Sequence, residues 1–101
     1  MDGLSVVARR LKEARLRAGI SQKQLGIKAG IDAFSASARI NQYERGKHMP
    51  DLQTVGRLAI ILRAPVAYFY CDEADLAEVI MRFASLSKAH RKRLIGMLPG
   101  S

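Results

Sequence analysis

Ile20-Ser21-Gln22-Lys23-Gln24-Leu25-Gly26-Ile27-Lys28-Ala29-Gly30, followed through Ile31 to Ile40-Asn41-Gln42-Tyr43-Glu44-Arg45-Gly46, has the signals of two helices joined by a turn. Ser21 is placed to cap the first free N–H groups of a helix, and Gln24, three residues on, to reach back to the cap. Ile20 before the cap and Leu25 after it suit a hydrophobic staple. The spacing therefore predicts a helix that starts at Ser21 or Gln22 and stops near Ala29, where Gly30 takes up the left-handed conformation. Gly26 leaves no side chain on the face where another helix could cross. Beyond the turn, Ala36, Ile40 and Tyr43 recur at helical spacing and mark an inward face. That helix ends at Glu44-Arg45-Gly46. Its other face carries Ser37, Arg39, Asn41, Gln42 and Arg45, groups of the kind that read base edges and grip phosphates.

Outward from this pair, a first helix is expected from about Leu4 or Ser5 to Arg17, with Val7, Leu11, Ala14 and Ala18 inward. Arg9, Arg10, Lys12 and Arg17 cover its other faces, either as a solvated surface or with Arg10 or Arg17 on a nucleic-acid backbone. Gly46 to Asp51 reads as a loop holding Lys47, His48 and Pro50. A fourth helix from near Asp51 carries Leu52, Val55, Leu58, Ala59 and Leu62 inward and is stopped by Pro65. A short fifth, Val66 to Tyr70, is anchored by Phe69, with Tyr68-Phe69-Tyr70 as core packing rather than a base-stacking platform. After Cys71 the acidic run Asp72-Glu73-Ala74-Asp75 opens a sixth helix with Leu76, Val79, Ile80 and Phe83 apolar. Ser87 caps a last one with Leu94, Ile95 and Leu98 apolar and His90 to Arg93 mostly basic.

These residues resemble the Xre/Cro-type helix-turn-helix family of bacterial and phage DNA-binding regulators. The resemblance rests on Leu11 to Arg15, Gly19-Ile20-Ser21-Gln22, Leu25-Gly26, Ala29-Gly30-Ile31, Ile40 to Lys47 and Pro50, within residues 6 to 70. It implies an all-α fold with a five-helix lambda-repressor-like helix-turn-helix domain over residues 1–71. The family motif does not require the two additional C-terminal helices over 72–101, whose apolar stripes cover either their own core or, as the favoured reading, the same helices of a second subunit, making them a dimerisation element. By the resemblance, Ser37, Ala38 and Gln42 fall where the family reads bases, and Arg39 and Asn41 lie beside Gln42 as contacts to bases or phosphates. Phosphate contacts fall to Ser21, Gln22, Lys23, Arg45 and Lys47, and a structural ion pair to Arg15 and Glu44. The chain departs from the family in one place. Gly30 to Glu44 is longer by about four residues, close to one helical turn. Asp32-Ala33-Phe34-Ser35 either lengthens the turn or extends the third helix with Asp32 as its cap.

Charge and composition point the same way. Lys and Arg outnumber Asp and Glu by 17 to 9, and residues 1–50 hold ten basic against four acidic side chains, which favours a polyanionic partner. A single cysteine, Cys71, excludes an internal disulfide framework and fits a reducing, cytoplasmic setting. No secretory signal is visible after Met1-Asp2-Gly3, and no apolar run is long enough to span a bilayer. His48 and His90, far apart in sequence, give no metal site. No nucleophile with its base, paired carboxylates or phosphate-cradling glycine loop is legible, and Ser21, Ser35, Ser37, Ser85 and Ser87 sit where caps and turns want serine. The expectation is a non-enzymatic regulator with no cofactor and no evident small-molecule ligand. It binds double-stranded DNA as a homodimer through the C-terminal helices, most simply as a repressor. An antitoxin-like or accessory module whose partner docks on those helices is the alternative, and single-stranded RNA binding a third.

Overall fold

The computed structural model describes residues 3–100, with side chains from Val6 onward. Residues 1, 2 and 101, the outer ends of the two segments expected from sequence, lie outside it. The described residues form seven helices and no strand: α1 (Gly3–Ala18), α2 (Gln22–Lys28), α3 (Ala36–Glu44), α4 (Leu52–Leu62), α5 (Val66–Phe69), α6 (Ala74–Ala84) and α7 (Lys88–Met97). No helix is long and apolar enough to cross a membrane, among the described residues.

Local chemistry fixes the ends of α2 and α3. Ser21 Oγ accepts from the Gln24 N–H at 3.0 Å while Gln24 Oε1 accepts from the Ser21 N–H at 2.9 Å, a complete capping box. At the far end the Ile31 N–H donates to the Gly26 carbonyl and the Gly30 N–H to Ile27, with Gly30 at φ +91°. The end of α3 repeats the pattern, Lys47 N–H to Gln42 and Gly46 N–H to Tyr43, with Gly46 at φ +74°. Both helices thus stop by satisfying their last carbonyls inside a glycine turn.

Val7, Leu11 and Ala14 of α1, Leu25 of α2, Ile40 and Tyr43 of α3, Val55, Leu58, Ala59 and Leu62 of α4, and Tyr68 and Phe69 of α5 form one buried cluster. Four inward assignments differ from the sequence expectation. Ala18 is exposed, because α1 is already leaving the core at its last residue. Leu52, 68% exposed, opens α4 before that helix reaches the core. On α6 the buried residue is Ala77, with Ile80 and Met81 half-buried beside the core, so Leu76 and Val79 face outward. A small residue lets α6 approach where Leu76 would hold it off. The stop of α4 also differs: Leu62 is its last residue, and Arg63 itself adopts the left-handed conformation at φ +55°, two residues before Pro65.

Arg10 is neither a solvated residue nor a nucleic-acid contact. It is 5% exposed, its Nε donates to the Cys71 carbonyl at 2.8 Å and its Nη2 to the Asp72 carbonyl at 2.9 Å. Its Nη1 pairs with Glu13 at 2.8 Å, and Glu13 also accepts from the Tyr68 hydroxyl at 3.1 Å. A guanidinium with each of its three nitrogens bonded in this way tolerates burial, and it fastens α1 to the corner between α5 and α6. Arg17 reaches Glu78 of α6 at 3.5 Å, so it too faces the extension. At the other end of α6, Arg91 of α7 donates to the carbonyls of Phe83 and Ala84 at 3.1 and 2.7 Å, which satisfies and charge-stabilises that helix end.

Candidate nucleic-acid interface

The position of α3 follows from how closely α2 lets it approach. A Cβ placed on Gly26 would stand 2.7 Å from the Ala36 Cβ and 2.8 Å from its carbonyl oxygen, so only glycine permits this crossing. Ala36, Ile40 and Tyr43 then turn inward. Ser37, Ala38, Arg39 and Arg45 are left exposed, with Asn41 and Gln42 half-buried beside them.

The far end of α3 is held by polar bonds. The Glu44 carboxylate, its side chain 3% exposed, accepts from Arg15 Nε at 2.5 Å and Arg15 Nη2 at 3.1 Å. It also accepts from Gln22 Nε2 at 3.1 Å, while Arg15 Nη1 donates to the Ile20 carbonyl at 3.0 Å. Arg15 is 11% exposed, so the pair is shielded, and it links α1, the start of α2 and the end of α3 through one carboxylate. Gln22 Nε2 makes a second bond, to Asn41 Oδ1 at 3.2 Å. Because a carboxylate only accepts, the amide nitrogen of Gln22 must face Glu44, which makes Asn41 present its oxygen to Gln22 and its NH₂ outward.

Sequence reasoning missed this link, since it exists only once α2 and α3 have crossed. It divides the residues singled out from sequence. Both side-chain N–H groups of Gln22 are used internally, leaving that residue only its backbone N–H for an outside anion. Asn41 keeps two donors and no free acceptor valence toward Gln22. Ser21, Lys23, Arg45 and Lys47 are exposed, the first two at the open start of α2, where the Gln22 and Lys23 N–H groups have no helical partner. Arg39 and Gln42 line one shallow hollow with Tyr43, His48 and Met49, which brings the loop histidine beside α3. The length of the 31–35 segment resolves as a turn: α3 begins at Ala36, and Asp32 caps the residues before it rather than the helix. Among the described residues no group of three His, Cys, Asp or Glu side chains stands where it could hold a metal ion.

This geometry is that of a helix-turn-helix domain, and a helix-turn-helix domain family model matches residues 6–68. The chain therefore belongs to the helix-turn-helix family of transcriptional regulators. Among solved structures it is similar to the crystal structure of transcriptional regulator BswR, with 52% identity, a TM-score of 0.84, and coverage of 90% of this chain and 93% of that one. No curated protein sequence matches it significantly.

Proposed function

We propose that this DNA-binding protein is an Xre/Cro-type, sequence-specific regulator that binds duplex DNA as a homodimer and acts as a repressor. The observation that carries the reading is the outward flank of α3, polar and basic, held in place by the Gly26–Ala36 approach and the Arg15–Glu44–Gln22 bonds. A major groove about 12 Å wide admits such a helix.

In this reading Ser37, Ala38, Arg39, Asn41 and Gln42 meet base edges. Gln42 suits an adenine, which its amide bonds in two places, and Arg39 suits a guanine. Asn41, whose NH₂ is turned away from Gln22, donates to an acceptor such as guanine O6 or N7. Lys23, Arg45 and Lys47, the Ser21 hydroxyl and the open N–H groups of Gln22 and Lys23 hold phosphates. Residues 72–101 act as an extension of the 1–71 domain. The inner face of α6 joins the core, while Leu76, Val79, Ile95, Met97 and Leu98 remain exposed and α7 buries no residue, which supports a second copy as their cover.

Selection of bound duplexes from a random pool tests the whole reading. A single enriched motif with two-fold symmetry is expected, because the symmetry of a dimer is mirrored in its site. Absence of enrichment contradicts DNA recognition. A lone half-site bound by a monomer contradicts the dimer alone. The same exposed face of α6 and α7 also suits a different protein, and purification as a mixed complex with one partner would favour that second reading.

A further inference from the structure

We propose that Phe34, in the turn ahead of α3, reads the 5-methyl group of a thymine, which makes the longer turn a specificity element. The proposal rests on the DNA-binding reading above. Phe34 is 98% exposed, the most exposed of the large apolar side chains in the described residues. Single exposed apolar residues are common and need no cause by themselves. What distinguishes this one is its position.

The turn that carries Phe34 is bound to the helix behind it. Asp32 accepts from the Ser35 N–H twice, through Oδ1 at 3.0 Å and through its backbone carbonyl at 3.1 Å. Ser35 is already in the right-handed helical conformation, and its carbonyl accepts the first helical bond, from the Arg39 N–H at 2.9 Å. Residues 33–35 therefore form one tight turn stacked on the start of α3. Continued through it, helical spacing puts positions 34, 38, 41 and 45 on one row. Ala38, Asn41 and the cap residue Arg45 form that row along α3, and Phe34, two residues ahead of Ala36, lies in the turn at its leading end.

The chemistry of the ring then selects its target. Phenylalanine offers no hydrogen bond, and thymine is the base that carries an apolar group on its major-groove edge.

The test uses the duplex enriched by the wild-type protein, with each thymine replaced singly by deoxyuridine, which lacks only the methyl group. At one thymine per half-site, methyl removal should weaken wild-type binding about three- to fivefold, the value of one buried methylene-sized group. Phe34→Ala should bind the unmodified duplex correspondingly more weakly and be indifferent to that methyl, while Phe34→Leu keeps the sensitivity. Because the side chain is exposed, the melting temperature of both variants should be unchanged. If Phe34→Ala retains the wild-type loss at every thymine, the inference is overturned and the DNA-binding reading stands. An altered oligomeric state with intact methyl sensitivity overturns it equally, assigning the ring to a protein contact. If the wild type enriches no duplex at all, the DNA-binding reading fails, and the role of Phe34 with it.

Discussion

Replacing Glu44 by alanine removes the one carboxylate on which Arg15 Nε, Arg15 Nη2 and Gln22 Nε2 converge. Only the Ile20 carbonyl still pairs with the guanidinium, which is 11% exposed. Breaking a shielded pair from one side strands a charge and costs about 3–5 kcal/mol. The space vacated by the glutamate admits water to the guanidinium, which places the expected loss near the lower end, at about 3 kcal/mol. Against a total stability of about 5–15 kcal/mol for a domain of ordinary size, this is a large share. In a urea titration followed by circular dichroism, with a slope of about 1.2 kcal/mol per M, the midpoint should fall by about 2.5 M. Arg15→Met should cost at least as much, since it leaves the more deeply buried carboxylate with Gln22 as its remaining donor. The double variant Arg15→Met with Glu44→Leu should recover most of the loss, because neither charge is then stranded. Single variants costing less than about 1 kcal/mol, with additive effects, would describe a solvated surface pair and refute the reasoning.

The close crossing of α2 on α3 makes a second prediction. Gly26→Ala gains up to about 1 kcal/mol of helix propensity but overpacks against the backbone and Cβ of Ala36 at a cost of about 3 kcal/mol or more, so the net loss is at least about 2 kcal/mol. The displacement of α3 should lower duplex affinity by more than the change in stability accounts for, as melting and binding curves on the same samples would show. Lys47→Ala should weaken binding to all duplexes and flatten the dependence of log K on log salt by about one unit, whereas an unchanged slope would remove Lys47 from the phosphate contacts. Burial, with the Glu13 carboxylate beside it, raises the Tyr68 phenol above its usual value near 10. The folded chain therefore holds that proton more tightly than the unfolded one. Tyr68 contributes stability that is full below about pH 10 and lost as the pH rises through its folded value. Tyr68→Phe should make the alkaline loss of stability shallower, measured by denaturation from neutral pH upward; an equally steep fall would show that this phenol does not titrate with folding.

Short-range chemistry made much of this fold legible. The Ser21–Gln24 box, the glycines that end α2 and α3, and the inward row Ala36, Ile40 and Tyr43 depend on neighbours within one or two turns, and the structure places them where the spacing does. Features that depend on distant partners were not legible. Arg10 has helical spacing with Val7 and Ala14, which is an inward signal, but its charge argues for solvent until the carbonyls of Cys71 and Asp72 arrive from the other end of the domain. On α6, the expected face through Leu76, Val79, Ile80 and Phe83 and the packed one through Ala77, Ile80 and Met81 share helical spacing and Ile80, and which of them turns inward is settled only by where the core lies. Pro65 is the stop that sequence offers for α4, yet that helix is ended by Arg63 in a conformation that sequence would assign to glycine. Within the candidate interface, the outward residues of α3 follow from periodicity, whereas the coupling of Gln22 to Asn41 needs the helix crossing first.

If the outward flank of α3 reads base pairs, removing one of its side chains changes the preferred sequence and not only the affinity. Repeating duplex selection with Gln42→Ala beside the wild type tests it most directly. The variant should lose its preference at one or two positions of the motif, with the remaining positions retained and a cost of about 1–3 kcal/mol on the wild-type site. An unchanged motif, bound uniformly more weakly by the variant, would contradict it.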